Sequence, residues 1–377
     1  MLNLRNIKNL PGSKSESGVI IFSRKYMNKG ITKTKLERPF ITESGFRFEQ
    51  PEAAYKTWGK LNKERNNAIV ICHALTGHAA ADEWFPGLIG NGKVCDPEKN
   101  FIICINVPGS PYGSVSPWSV NPETGKPYLN DFPDLTVRDL VRFQQQLMDQ
   151  IDINCIELVL GGSLGGMQAL EFTIMDRRIK SAVLIAMGKS HSPWAIGISH
   201  AQRSAIINDP KWNDGIYEYG TGPADGLATA RMMAMITYRA PQDYQQKFGR
   251  ELQDESDLFQ VESYLNYQGE KLVSRFDAHS YILLTKAMDT HDVSRNRGSF
   301  EQVLGRVKIP VRVVGINTDH LYPVHEQKEL AKFLGNAGYH EIQSPYGHDA
   351  FLIEFDQINN IIQTFRKQEL SYTTPSL

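Results

Sequence analysis

Short apolar runs alternate with amphipathic stretches along much of this chain. Ala68–Cys72 (AIVIC) and Phe101–Ile105 (FIICI) are β-branched and uninterrupted by charge, which is typical of strands buried on both faces. Similar runs lie at 157–160, 181–186 and 311–315, with a shorter one at 341–343. Helical patterns separate them, one starting after Thr136 with Asp139 as capping-box partner. This alternation predicts an α/β fold with a mostly parallel sheet covered by helices.

Residues 189–304 break the alternation. The segment lacks a clear buried strand, is rich in Met, Tyr, Gln and Arg, and has a helical pattern at 226–240. We therefore predict a helical lid at 189–304, inserted into an α/β core formed by 36–188 and 305–377. Such an insertion can roof an active site and form subunit contacts. The basic segment 1–35 is predicted to be a partly disordered extension.

Composition narrows the classes of partner. The formal net charge is −1, so no global field favours nucleic acid or an anionic membrane. No apolar run approaches the roughly 20 residues of a membrane span. The four cysteines show neither C-x-x-C nor metal-ligand spacing, and Cys72 and Cys104 lie inside predicted strands. A reduced, cytoplasmic setting is the simplest interpretation.

The strongest chemical signal is the pentapeptide GGSLG at residues 161–165. It follows a predicted strand directly and precedes a helix, as the nucleophile elbow of an α/β-hydrolase sheet requires. Gly161 and Gly165 supply the space that this sharp turn needs. A phosphate loop or a plain helix cap would not explain a serine at the tip. We predict that Ser163 is the nucleophile and that the N–H of Leu164 stabilises the oxyanion.

A serine nucleophile needs a base that is oriented by an acid. In this fold the acid and then the histidine follow the serine along the chain. Asp319 and His348 each lie in a loop after a predicted strand, and they complete a predicted Ser-His-Asp triad. His320 and His325 are too close to Asp319 in sequence for the role of the base.

The second oxyanion donor should come from the loop after an early strand. That loop begins at His73, and the N–H of Leu75 is our candidate. For His73 itself we predict a packing or loop-shaping role. These residues alone leave the acyl donor and acceptor open. They are compatible with an acyltransferase, with a serine hydrolase or esterase, and with a non-enzymatic binding protein of this fold, although the complete triad argues against the last.

Longer stretches of the chain resemble the homoserine O-acetyltransferases of the α/β-hydrolase superfamily, from about residue 37 to 365. The similar stretches are 72–79 (CHALTGHA), 121–128 (NPETGKPY), 161–172 (GGSLGGMQALEF), 226–239 (GLATARMMAMITYR), 259–285 and 347–352 (GHDAFL). The resemblance implies the same triad, a role in methionine biosynthesis, and acetyl transfer from acetyl-CoA to L-homoserine. It implies no metal or prosthetic group, and a homodimer formed through the lid.

The resemblance also implies three substrate contacts. Arg231 matches the family residue that faces the substrate carboxylate, Asp349 the one that binds the amine, and Tyr238 a pocket tyrosine. Succinyl-transferring relatives tend to carry an arginine where this chain has Leu321, so acetyl-CoA is favoured as the donor. Between Asp319 and Leu321, this chain has His320 where the family usually has an aromatic residue. Succinyl transfer, or serine as the acceptor, remains an alternative at this stage.

Overall fold

The computed structural model of the chain describes residues 30–254 and 257–373, with side chains placed as far as residue 368. Residues 1–29 of the predicted extension lie outside the described residues. The sheet nevertheless begins inside that extension, because Thr32–Lys35 (TKTK) pairs with a later strand. A short charged strand at a sheet edge carries no apolar pattern, which is why the predicted boundary fell after it.

Eight strands form one sheet, in the order β1-β4-β6-β5-β7-β8-β9-β10. Pairing is parallel from β6 to β10, whereas β1 and β4 pair antiparallel at the other edge. The short strands β2 and β3 pair separately. The strands are β1 (Thr32–Lys35), β2 (Phe40–Ile41), β3 (Arg47–Phe48), β4 (Glu52–Trp58), β5 (Ala68–Cys72), β6 (Phe101–Ile105), β7 (Ile156–Gly162), β8 (Ala182–Ile185), β9 (Val311–Ile316) and β10 (Ala337–Ile342).

Both faces of the sheet are buried. In β5, Val70 and Cys72 contribute to one hydrophobic cluster, whereas Ile69 and Ile71 contribute to a second. Because successive side chains of a strand point to opposite faces, the two clusters are the two cores of a three-layer α/β architecture. The predicted α/β fold is confirmed.

Helices cover both faces, and those between β8 and β9 make up the predicted lid segment. The helix before β7 begins with the predicted capping box of Thr136 and Asp139. The helices are α1 (Ala81–Trp84), α2 (Val137–Gln150), α3 (Leu164–Met175), α4 (Pro193–Ile207), α5 (Ala224–Tyr238), α6 (Pro241–Phe248), α7 (Gln260–Val273), α8 (Ala278–Asp289), α9 (Phe300–Leu304), α10 (Val324–Phe333) and α11 (Phe355–Thr373).

The last strand differs from its prediction. The sequence predicts it at 341–343, after His340, whereas β10 spans Ala337–Ile342 and contains that histidine. This strand lies at the edge of the sheet, and of its residues Ile342 alone is buried. A mostly half-buried strand at an edge lacks the apolar run by which the central strands can be identified.

Candidate active site

Four loops meet at one edge of the sheet. They follow the parallel strands β5, β7, β9 and β10, whose carboxyl ends share that edge. The loops carry Leu75, Ser163, Asp319 and His348, respectively. Ligands of open α/β sheets bind at this edge, so the topology alone brings the predicted catalytic residues to the expected place.

Ser163 occupies a strained turn between β7 and α3. Its backbone angles are φ 57° and ψ −127°, a conformation that residues with a side chain seldom adopt. The glycines on either side are required by close contacts. A Cβ at Gly161 would lie 2.3 Å from the carbonyl carbon of Gly165, and one at Gly165 would lie 2.2 Å from the Cys72 carbonyl oxygen. This turn has the geometry of a nucleophile elbow.

Asp319 and His348 form a buried pair. The His348 Nδ1 lies 2.7 Å from Asp319 Oδ2, while Asp319 Oδ1 accepts hydrogen bonds from the N–H groups of Leu321 at 2.8 Å and Tyr322 at 2.9 Å. The carboxylate therefore holds the ring with Nε2 available to accept a proton. The Ser163 hydroxyl makes no hydrogen bond to a described residue, and such bonds often tighten only once substrate is bound.

Three aromatic rings surround the His348 imidazole. The ring centroids of Tyr322 and Phe351 lie 5.3 Å from it, and that of Tyr238 lies 5.6 Å away. Tyr238 ends lid helix α5, whereas the other two rings belong to the core. Packing of this kind keeps water from the imidazole and restricts its rotation.

We call residues 73–77 the oxyanion loop. The Gly77 N–H donates to the Ala74 carbonyl at 2.9 Å, and the Gln168 side-chain amide donates to the His73 carbonyl at 3.0 Å. The N–H of Leu75 makes no hydrogen bond to a described residue. The N–H of Leu164 is at the first position of α3, where no intrahelical acceptor exists. Both predicted oxyanion donors are thus available.

His73 shapes this loop. Its Nδ1 lies 2.9 Å from the Ala74 carbonyl, and its Nε2 accepts the Val107 N–H at 3.1 Å. Burial lowers the pKa of the imidazole to about 4, so the ring is neutral at pH 7. Both ring nitrogens are committed to backbone groups, in keeping with the predicted loop-shaping role.

The three predicted substrate contacts lie close to the triad. The Arg231 guanidinium lies 5.6 Å from the centre of the Tyr238 ring and makes no ion pair with a carboxylate of the described residues. Asp349 directly follows His348 in the sequence. Arg231 can therefore receive an anionic group, and Tyr238 lies close to both Arg231 and His348.

Asp349 is already paired, which the sequence reasoning missed. Its Oδ2 lies 3.1 Å from Nε of Arg239, which also pairs with Asp243 at 3.2 Å. Burial raises the pKa of the Asp349 carboxyl, and the nearby charges of Arg239 and Arg231 offset this in part. A substrate ammonium would have to share this carboxylate with Arg239.

A small cavity of about 20 Å³ lies beside the oxyanion loop. Its lining includes Leu75, Tyr238, Leu321 and Tyr322 from the site, together with side chains of lid helices α4 and α8. A cavity of this size holds about one water-sized group. The methyl of an acetyl group is of that order, whereas a succinyl chain is much larger.

Gln168 is a second residue that the sequence reasoning did not select. It is fully buried in α3, and its side-chain amide donates to two backbone carbonyls, those of His73 and Leu164. The first lies in the oxyanion loop ahead of Leu75, and the second belongs to the other predicted oxyanion donor.

Among the residues that the structure describes, no group of three or more His, Cys, Asp or Glu could hold a metal ion. No helix in the same part of the chain is long and apolar enough to cross a membrane.

Comparison with known families and sequences agrees with this geometry. A family model described as alpha/beta hydrolase fold matches residues 67–355. A homoserine O-acetyltransferase of Chlorobium chlorochromatii is 51% identical over 331 residues, covering 87% of this chain and 92% of the relative. One of Salinibacter ruber is 46% identical over 336 residues, covering 87% and 96%.

A solved structure extends the likeness to three dimensions. The homoserine O-acetyltransferase of Bacillus anthracis superposes with a TM-score of 0.82 at 26% identity, covering 90% of this chain and 98% of that one. Esterase E22 gives the same TM-score at 22% identity, which speaks for the fold alone.

Proposed function

Since this chain belongs to the homoserine O-acetyltransferases of the α/β-hydrolase fold, we propose that it transfers the acetyl group of acetyl-CoA to the hydroxyl of L-homoserine, a step of methionine biosynthesis. The observation that carries the chemistry is the 2.7 Å pair of His348 and Asp319 at the sheet edge that also bears the Ser163 elbow. This arrangement supports an acyl-enzyme mechanism in two half-reactions.

In the first half-reaction Ser163 takes the acetyl group. His348 Nε2 accepts the serine proton as Oγ attacks the thioester carbonyl, and Asp319 stabilises the imidazolium that forms. The N–H groups of Leu75 and Leu164 stabilise the oxyanion. The C–S bond then breaks, His348 returns its proton to the sulfur, and CoA departs from the acetyl-enzyme.

In the second half-reaction homoserine accepts the acetyl group. The carboxylate pairs with Arg231, whose planar fork matches two oxygens, and the ammonium pairs with Asp349. His348 removes the proton of the side-chain hydroxyl, which attacks the ester carbon of acetyl-Ser163. Collapse of the second oxyanion releases O-acetylhomoserine and returns the proton to Ser163. No step calls on a metal or prosthetic group.

The acetyl-enzyme can be trapped. Mixing the protein with acetyl-CoA in the absence of homoserine should leave one acetyl group on Ser163 and release one equivalent of CoA. Intact-protein and peptide mass spectrometry would locate the adduct, and Ser163→Ala should show none. Turnover at the normal rate with ternary-complex kinetics and no serine adduct would contradict the ping-pong mechanism.

Leu321 should set the choice of acyl donor. Its side chain lines the small cavity beside Leu75, so this end of the site is apolar. In Leu321→Arg we expect the rate ratio of succinyl-CoA to acetyl-CoA to rise about tenfold or more, because a hydrogen bond to a charged group contributes about 1.5–3 kcal/mol. Steady-state assays with the two donors measure the ratio.

Leu321→Met is the matched control for that change. It keeps an apolar side chain of similar volume, so the donor ratio should stay near that of the unmodified protein. An equal rise in both variants would show that looser packing, rather than the introduced charge, admits the larger donor.

The lid also supports the homodimer that the resemblance implies. Most of the large apolar side chains that are exposed in the described residues lie in the lid, among them Ile236 and Tyr267 at more than half exposure. Large contiguous apolar patches mark interaction sites, and the lid carries most of the exposed apolar side chains from which such a patch could form. We propose that two copies associate through the lid, and that the protein acts in the cytoplasm.

A further inference from the structure

Arg275 reaches from the lid to the oxyanion loop. It lies in the turn between α7 and α8, and it is 199 residues from Thr76, its partner in the oxyanion loop. Its Nη1 donates to the Thr76 carbonyl at 2.8 Å and to the Tyr112 hydroxyl at 2.6 Å, and its Nη2 donates to the Thr76 hydroxyl at 3.3 Å. No carboxylate of the described residues forms an ion pair with it.

The geometry points to Arg275 as the positioning residue of the oxyanion hole: we propose that it orients and polarises the Leu75 N–H through two hydrogen-bonded peptide groups. The proposal rests on the oxyanion role given to Leu75 above. It assigns to a lid side chain a part in both half-reactions, without contact to either substrate.

The connection follows from the planarity of the peptide bond. The Thr76 carbonyl and the Gly77 N–H belong to one planar trans peptide group, so fixing the carbonyl also fixes the N–H on its opposite side. That N–H donates to the Ala74 carbonyl at 2.9 Å. The Ala74 carbonyl in turn shares a peptide group with the Leu75 N–H, which makes no hydrogen bond to a described residue.

The positive charge of Arg275 adds to this effect. Hydrogen-bonded chains polarise one another, so a guanidinium at one end makes the last N–H a stronger donor. This series of hydrogen bonds starts at the Arg275 guanidinium, passes through the peptide group 76–77 and then the peptide group 74–75, and ends at the oxyanion. No carboxylate of the described residues lies within ion-pair distance of the guanidinium, so its charge is not neutralised locally.

The backbone that carries Arg275 is itself held firmly. Phe276 is buried and packs edge-on against Tyr112, with ring centroids 5.8 Å apart. Asp277 caps α8 by accepting the Ser280 N–H at 3.2 Å, and it accepts the Tyr217 hydroxyl at 3.1 Å. The packing of the lid therefore sets the position of the guanidinium. Through Arg275, a well-packed lid keeps the Leu75 N–H correctly oriented in the oxyanion hole.

The test uses a reaction that needs neither CoA nor homoserine. A fluorophosphonate forms a bond between Ser163 Oγ and phosphorus, fluoride leaves, and the serine proton passes to His348. In Arg275→Ala we expect the rate constant of this labelling, and of both half-reactions, to fall about 10- to 100-fold, less than the roughly 10²–10³-fold effect of losing an oxyanion donor. KM for each substrate should change less than twofold, and millimolar guanidinium should restore part of the rate.

Arg366→Ala is the matched control. Arg366 also donates to a loop carbonyl, that of Val94 at 2.9 Å, but from α11. Its labelling rate should equal that of the unmodified protein. If Arg275→Ala does not fold, Arg275→Lys takes its place, since it keeps the charge but loses the fork and should show a smaller loss.

Three results would overturn the proposal: labelling at the normal rate without Arg275, an equal loss in Arg366→Ala, or a raised KM with unchanged kcat, which would make Arg275 a substrate-binding residue. These outcomes differ from failure of the proposed function. A protein that does not acetylate homoserine at all would still report on Arg275 through fluorophosphonate labelling.

Discussion

Asp319→Asn is expected to lower turnover about 10⁴-fold while leaving the fold intact, as in the comparable protease triad. The reason lies in the partners of the two carboxylate oxygens. Oδ1 accepts two backbone N–H groups, so the amide oxygen of Asn will occupy that position. The amide NH₂ then faces His348 Nδ1, which must become an acceptor. The ring proton moves to Nε2, and His348 can no longer accept the proton of Ser163.

This expectation can be checked by single-turnover kinetics. Both CoA release from acetyl-CoA and acetyl transfer to homoserine should slow, because the same base serves both. Asp96→Asn is a stringent control for loss of structure, since Asp96 accepts the Gly92 N–H on Oδ2 and the Glu98 N–H on Oδ1, in a loop away from the triad, and the amide keeps only one of these bonds. Activity of Asp319→Asn within tenfold of normal would assign the orienting role to another acid.

Arg231→Lys should separate the two half-reactions. Lysine keeps the positive charge but cannot form the two parallel hydrogen bonds that a guanidinium makes with a carboxylate. We expect acetyl transfer from preformed acetyl-enzyme to homoserine to slow roughly 10- to 150-fold, equivalent to about 1.5–3 kcal/mol. CoA release in the first half-reaction should stay close to normal, because homoserine takes no part in it.

Arg203→Lys controls for a general effect on the lid. Arg203 lies in α4 and pairs with Asp289 of α8 at 2.6 Å, so both variants replace a lid arginine. In Arg203→Lys, the rates of the two half-reactions should change by the same factor or stay unchanged. Slower CoA release with normal transfer to homoserine in Arg231→Lys would instead place Arg231 in the binding site of the acyl donor.

The central strands could be predicted because burial on both faces leaves an uninterrupted apolar run, as in β5. Strand β1 and its neighbour β4 could not be predicted, and the edge strand β10 could be predicted only in part. β1 is TKTK, β4 mixes polar with apolar residues, and β10 has one buried residue. What fixes these strands is pairing with a neighbour distant in sequence, such as Thr32 with Tyr55, and local patterns do not record it.

The candidate site divides in the same way. Ser163, Asp319 and His348 follow recognisable strands in an order typical of the fold, so sequence position alone identifies them as candidates. No comparable sequence signal identifies Arg275, Gln168 or Arg239. Their partners are backbone carbonyls or a carboxylate brought near by the folded chain, and an arginine or glutamine is most often a solvated surface residue.

The position of the lid between β8 and β9 affects how the enzyme is made. Ser163 leaves the ribosome well before Asp319 and His348, with the whole lid synthesised in between. Pairing of Ala182 with Val311 then has to close that long loop, and such distant contacts form late in folding. The nascent chain therefore carries a serine without its base, and acyl transfer is withheld until the last strands of the sheet are in place.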